Sequence, residues 1–158
     1  MKNSLVAKNV ISAAHIERVL TDTFPNLAYV YTVDRDYICP SRRWVMSAYR
    51  KWYLDLLWEW GFVAKDVNSV IWKTHFDCDN YSSLFRSLAG VRHGRRRKAE
   101  AQGVAIGSMG YLNAGEGPHA INCAFVGEQA DLMFIEPQGV KEIILTEAEL
   151  LSPVRILV

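Results

Sequence analysis

The sequence predicts an α+β fold, with N-terminal helices packed on a C-terminal antiparallel sheet in one domain spanning residues 1–158. In the N-terminal part, apolar residues recur at intervals of three and four. From Gly103 the texture changes to short apolar runs separated by Gly, Pro and charged turns. Helices followed by strands, without alternation, define that class. The chain has 158 residues, half of them hydrophobic and five of them Trp, so it builds a core without staples.

The elements read in order. Ile11–Leu20 is a helix, capped by Ser12 or Asn9. Pro25 marks a turn. Ala28–Val33 is aromatic and β-branched and reads as a short strand. Ser41 caps a helix over Arg42–Trp60, in which Val45, Met46, Tyr49, Tyr53, Leu56, Leu57 and Trp60 form one stripe that Gly61 ends. Lys65–Thr74 is ambiguous. A third helix runs from Cys78 to Gly90, with Leu84, Phe85, Leu88 and Val91 on one face. Strands follow at 104–113, 119–126, 132–136, 143–145 and 154–158. Gly127–Ala130 is a hairpin turn that makes residues summing to about 257 face one another.

The formal net charge of +1 implies no global attraction to nucleic acid. Arg92–Lys98 is rich in basic residues but has no interleaved aromatics, so it reads as a solvated loop. Three cysteines without paired spacing argue against a disulfide framework and a zinc ribbon. No signal-peptide core or membrane span is visible, so a cytoplasmic location is expected. The expected partner is a peptide or protein substrate.

Chemistry concentrates in three segments: Phe76–Ser82, Gly117–Asn122 and Ile135–Gln138. They offer a thiol (Cys78), an imidazole (His119) and a carboxylate (Glu136), the nucleophile, base and orienting group of thiol-dependent acyl transfer. Cys78 falls at a predicted helix start, where unpaired N–H groups and the helix dipole favour a thiolate. The bland alternative is a buried cysteine acting as a small hydrophobe. Asp77 and Asp79 oppose thiolate formation by like charge, unless they cap the helix or hold a cation. The hairpin register brings Glu136 diagonally within reach of His119. Asp79, Asn80, Asn122 and Gln138 are oxygen donors of the type Ca²⁺ prefers, without a calcium-loop signature. For an oxyanion hole, the candidates are the backbone N–H of Cys78 and the indole N–H of Trp72.

At these motifs the chain resembles the papain-like cysteine peptidase domain at the C-terminus of the fairy-ring mushroom agglutinin and related bacterial and phage proteins. That family carries Phe-Asp-Cys-Asp-Asp-Phe-Ala, Gly-His-Ala-x-Asn and Phe-Glu-Pro-Gln motifs. Here Asn80, Tyr81 and Ser82 depart from the first, and Pro118 is inserted into the second. The resemblance implies a papain-like fold, with Cys78 as nucleophile, His119 as base and acid, and Glu136 as orienting carboxylate. It also implies calcium dependence, with ligands matching Asp79, Asn122 and Gln138. The expected function is a thiol hydrolase, a cysteine peptidase or amidase. Two alternatives accompany it: a peptidoglycan amidase or acyl transferase on the same triad, and a non-catalytic binding or inhibitory module on a decayed peptidase fold.

Overall fold

The computed structural model describes residues 9–63, 76–95, 102–113, 115 and 117–158. The expected segments Lys65–Thr74 and Arg96–Lys98, with Trp72, lie outside them. The elements are β1 (Val10–Ser12), α1 (Ala13–Thr23), β2 (Leu27–Tyr31), β3 (Asp36–Ile38), a π-helical segment (Trp44–Tyr49), α2 (Arg50–Glu59) and α3 (Cys78–Gly94). After them come β4 (Gly103–Val104), β5 (Ile106–Asn113), β6 (Gly117–Val126), β7 (Asp131–Glu136), β8 (Lys141–Ile143), α4 (Glu147–Leu150) and β9 (Val154–Leu157).

Ser12 caps α1: its hydroxyl accepts from the His15 N–H at 3.2 Å. Ile16 and Leu20, one turn apart, are fully buried. The expected helix over 42–60 forms with a change of period. Ser41 Oγ accepts from the Trp44 N–H at 3.1 Å, and a π-helical segment precedes α2. The five-residue step from Trp44 to Tyr49 brings the two rings into a stack, with centroids 4.8 Å apart. Four-residue steps then carry the stripe on to Tyr53 and Leu57, both fully buried. Tyr49 and Tyr53 meet Phe85 of α3 edge-on at 4.9 and 5.0 Å, and the Tyr49 hydroxyl donates to the Phe85 carbonyl. Gly61 ends the run at φ +73°, a conformation open to glycine.

The main sheet has the order β2-β9-β5-β6-β7-β8, and a second sheet joins β1, β3 and β4. The β6–β7 hairpin pairs Asn122 with Ile135 and Val126 with Asp131, the register that the turn at Gly127–Ala130 predicts. The expectation of an antiparallel sheet needs correction, because β2 joins the edge parallel to β9. The three-layer arrangement also differs from helices on one face. Ile121, Cys123 and Phe125 face a core with Ile16, Leu20 and Phe24, while Ala124 and Val126 face a second core with Tyr53 and Phe85. Both faces of β6 are therefore covered, which accounts for its unbroken apolar sequence.

Candidate functional site

The site is built where the first turns of α3 meet β5, β6 and β9. Asp77 caps α3 in a capping box with Asn80, whose Oδ1 accepts from the Asp77 N–H at 3.2 Å. Cys78 is the first residue of the helix, a half-buried free thiol. One turn on, Ser82 pins the helix to the sheet. Ser82 Oγ donates to the Ile121 carbonyl at 2.6 Å, and Asn122 Nδ2 donates to the carbonyls of Ser82 and Gly107 at 2.9 and 3.0 Å. Asn122 is fully buried, so these bonds are made in a low-dielectric interior and tie helix to sheet strongly.

His119 and Glu136 are brought together, with Nε2 and Oε2 2.9 Å apart. Glu136 Oε1 also accepts from the Gln138 N–H at 3.3 Å. Tyr111, the cross-strand partner of His119, presents its ring edge-on at 5.8 Å. A hydrogen bond with Asp77 raises the Asp79 carboxyl above its ordinary value, and burial and the Asp77 charge add to the rise. Burial pushes the other two thiols up, Cys39 to about 11 and Cys123 to about 12.

The side-chain atoms of the candidate calcium donors differ in their engagements. The Asn80 side-chain oxygen is taken by the cap. The unpaired buried atom of Gln138 is a donor, Nε2. The Asn122 Oδ1 is a buried unpaired acceptor, but its amide nitrogen is committed to two carbonyls. Among the described residues no three His, Cys, Asp or Glu converge on one point.

Two adjoining clefts open here. One, of about 190 Å³, is lined by Tyr29, Asp79, Ser82, Ser83, Ser108 and Arg155, among others. The other, of about 300 Å³, is lined by Tyr111, Leu112, Pro118, His119, Pro153 and Arg155. Gly110 lines both, and Arg155 runs along both. The register explains the juxtaposition: Tyr29 pairs with Arg155, and Arg155 with Gly110. These residues share one face of the sheet, at the corner that α3 leaves uncovered. A Cβ built on Gly110 meets nothing within 4 Å, so the floor is open. Tyr29, Ser83, Gly110 and Arg155 escaped the sequence reading. The one signal for them was a lone arginine in the apolar run Val154–Val158.

No family model and no curated protein matches this chain. Solved structures do. PSL1a in complex with E64 matches with a TM-score of 0.68 and 19% identity, over 94% of this chain and 50% of that one. Polyporus squamosus lectin, bound to the human-type influenza-binding epitope Neu5Aca2-6Galb1-4GlcNAc, matches with a TM-score of 0.68 and 19% identity, over 92% and 49%. This chain spans about half the length of those it matches, and the likeness establishes a shared fold.

These findings correct the expected identity. A solved neighbour is described as a lectin and no family model matches, so membership of the papain-like cysteine peptidases is withdrawn. With it go the thiol hydrolase, the peptidoglycan amidase or acyl transferase, and a peptide substrate. The fold is mixed α/β, and among the described residues no helix is long and apolar enough to cross a membrane.

Proposed function

We propose that this chain is a non-catalytic saccharide-binding module on a papain-like helix-and-sheet frame, with the ligand in the cleft between α3 and the β2–β9 corner. The cleft chemistry carries the proposal. Tyr29 is 55% exposed at its rim and offers a ring face to the apolar C–H side of a sugar. Arg155 supplies donors, Asp79 acceptors and Ser83 both, which suits the mixed hydrogen-bonding of sugar hydroxyls. A concave, partly apolar surface with a few convergent polar groups is the usual form of a small-ligand site. The lectin, about half of whose chain shares this fold, is bound to a sialylated trisaccharide in its solved structure, which supports saccharides as the class to test first. Here His119, Glu136 and Asn122 shape and brace the wall of the cleft.

The test is a glycan array followed by calorimetry, with Neu5Aca2-6Galb1-4GlcNAc as the first soluble probe. The wild-type chain and Cys78→Ala should bind alike, whereas Tyr29→Ala and Arg155→Gln should each weaken binding about tenfold. A folded chain that binds no saccharide overturns the proposal. So does peptide turnover that disappears in Cys78→Ala.

A further inference from the structure

The near-zero net charge conceals a segregation. Residues 42–98 hold twelve Lys and Arg against five Asp and Glu, while the rest of the chain holds six against twelve. The described part of that segment includes the helical layer α2–α3. Two of its arginines are engaged by the β7–β8 hairpin: Arg42 pairs with Glu142 at 2.6 Å, and Arg50 Nε donates to the Gly139 carbonyl at 3.4 Å. Lys51 and Arg92 instead line a cavity of about 480 Å³ with Ser47, Ala48, Trp52 and Asp55. Arg92 Cζ lies 4.7 Å from the centroid of the Trp52 ring. Stacking on an indole fixes the plane of a guanidinium and leaves its N–H edge for a carboxylate or sulfate. Among the described residues Arg92 makes no ion pair. Lys51 is tied to Asp55 at 2.8 Å in an exposed pair, which contributes little and yields to a competing anion.

We infer that this helical face is a second site, which binds an acidic polysaccharide, one bearing sulfate or carboxylate groups, with one anionic group seated at Arg92 and Lys51. It is separate from the cleft and does not depend on it, since the two share no lining residue. A single-stranded nucleic acid needs aromatic faces free for stacking. Here Arg92 covers a face of Trp52, and Arg92–Lys98 contains no aromatic.

The test titrates a sulfated heparin hexasaccharide into the intact chain at several salt concentrations. The wild type should bind, with affinity falling steeply between about 50 and 200 mM salt. Arg92→Gln should weaken binding about tenfold and Lys51→Gln several-fold at low salt. Gly110→Val, in the cleft, should leave affinity for the sulfated hexasaccharide at wild-type level, because Gly110 does not line this cavity. Circular dichroism checks that each variant is folded. Failure of the folded wild type to bind overturns the inference, as does wild-type affinity in Arg92→Gln. Tighter binding of double-stranded DNA, single-stranded RNA or phosphatidylserine vesicles than of the hexasaccharide also overturns it.

Discussion

Gly110→Val separates the cleft from the fold in one substitution. Gly110 is the shared floor of both clefts, and an added Cβ meets no atom within 4 Å. It lies inside β5 with ordinary strand backbone. A glycine in a strand interior is worse than alanine by about 0.5–1 kcal/mol, through backbone entropy. A β-branched residue suits the pleat. Stability should therefore hold or rise by up to about 1 kcal/mol, a gain of about 2–4 °C in melting temperature for a chain of this size. The same branched side chain rises from the floor beside Arg155, between Tyr29 and the Asp79–Ser83 turn. It should exclude a saccharide and weaken binding at least tenfold, or about 1.4 kcal/mol. Thermal melting and calorimetry on one preparation read both effects. Unchanged saccharide binding in a stable variant would refute the cleft as the site. A loss of more than about 1 kcal/mol would show that the floor is packed rather than open.

Other expectations follow from the same geometry. Native alkylation at mildly alkaline pH should modify Cys78 and spare Cys39 and Cys123, whose buried thiols are pushed up to about 11 and 12; peptide mapping that finds equal labelling of all three would contradict the burial. Asn122→Asp should destabilise the chain by several kcal/mol near neutral pH, because it sets a buried carboxylate against the Ser82 and Gly107 carbonyls. A denaturant midpoint equal to wild type would mean that the link from α3 to the sheet is unimportant. Asp79→Asn acts with a definite sign. The folded-state value of Asp79 is raised, so its protonation favours the folded chain at low pH, and that stability is lost as pH rises through the folded value. The variant should be more stable than wild type at neutral pH, with the advantage fading below about pH 4; an advantage that persists at acid pH would exclude the carboxylate pair as its source. Calcium against chelator should leave the melting temperature unmoved, whereas an ion at a hundred times its dissociation constant would add about 2.7 kcal/mol.

Much of the local structure was legible in the sequence. Ser12 and Ser41 sit where helix starts need side-chain acceptors. Gly61 ends the long helical run, and Gly127–Ala130 sets the β6–β7 register that brings Glu136 to 2.9 Å from His119. Each depends on residues close in sequence or joined by one tight turn, so periodicity and turn chemistry suffice. The π-helical step at Trp44–Tyr49 was not legible, because the Trp44–Tyr49 stack and the edge-on contact of Tyr49 with Phe85 re-phase a stripe that otherwise reads as regular α-helix. The acidic flank of Cys78 also read two ways, and the structure shows Asp77 in the capping box of α3 with Asn80.

By itself the sequence determined the helices, the hairpin and its register, and the mixed helix-and-strand class. Only the tertiary structure decided that β2 closes the sheet parallel to β9, that α1 covers its second face, and that α3 leaves one corner bare. Those choices pair residues more than a hundred positions apart, such as Tyr29 and Arg155. No local propensity encodes such a pairing; the joint burial of both sheet faces selects it. The cleft residues are therefore a product of assembly, and a motif search along the chain passes over them.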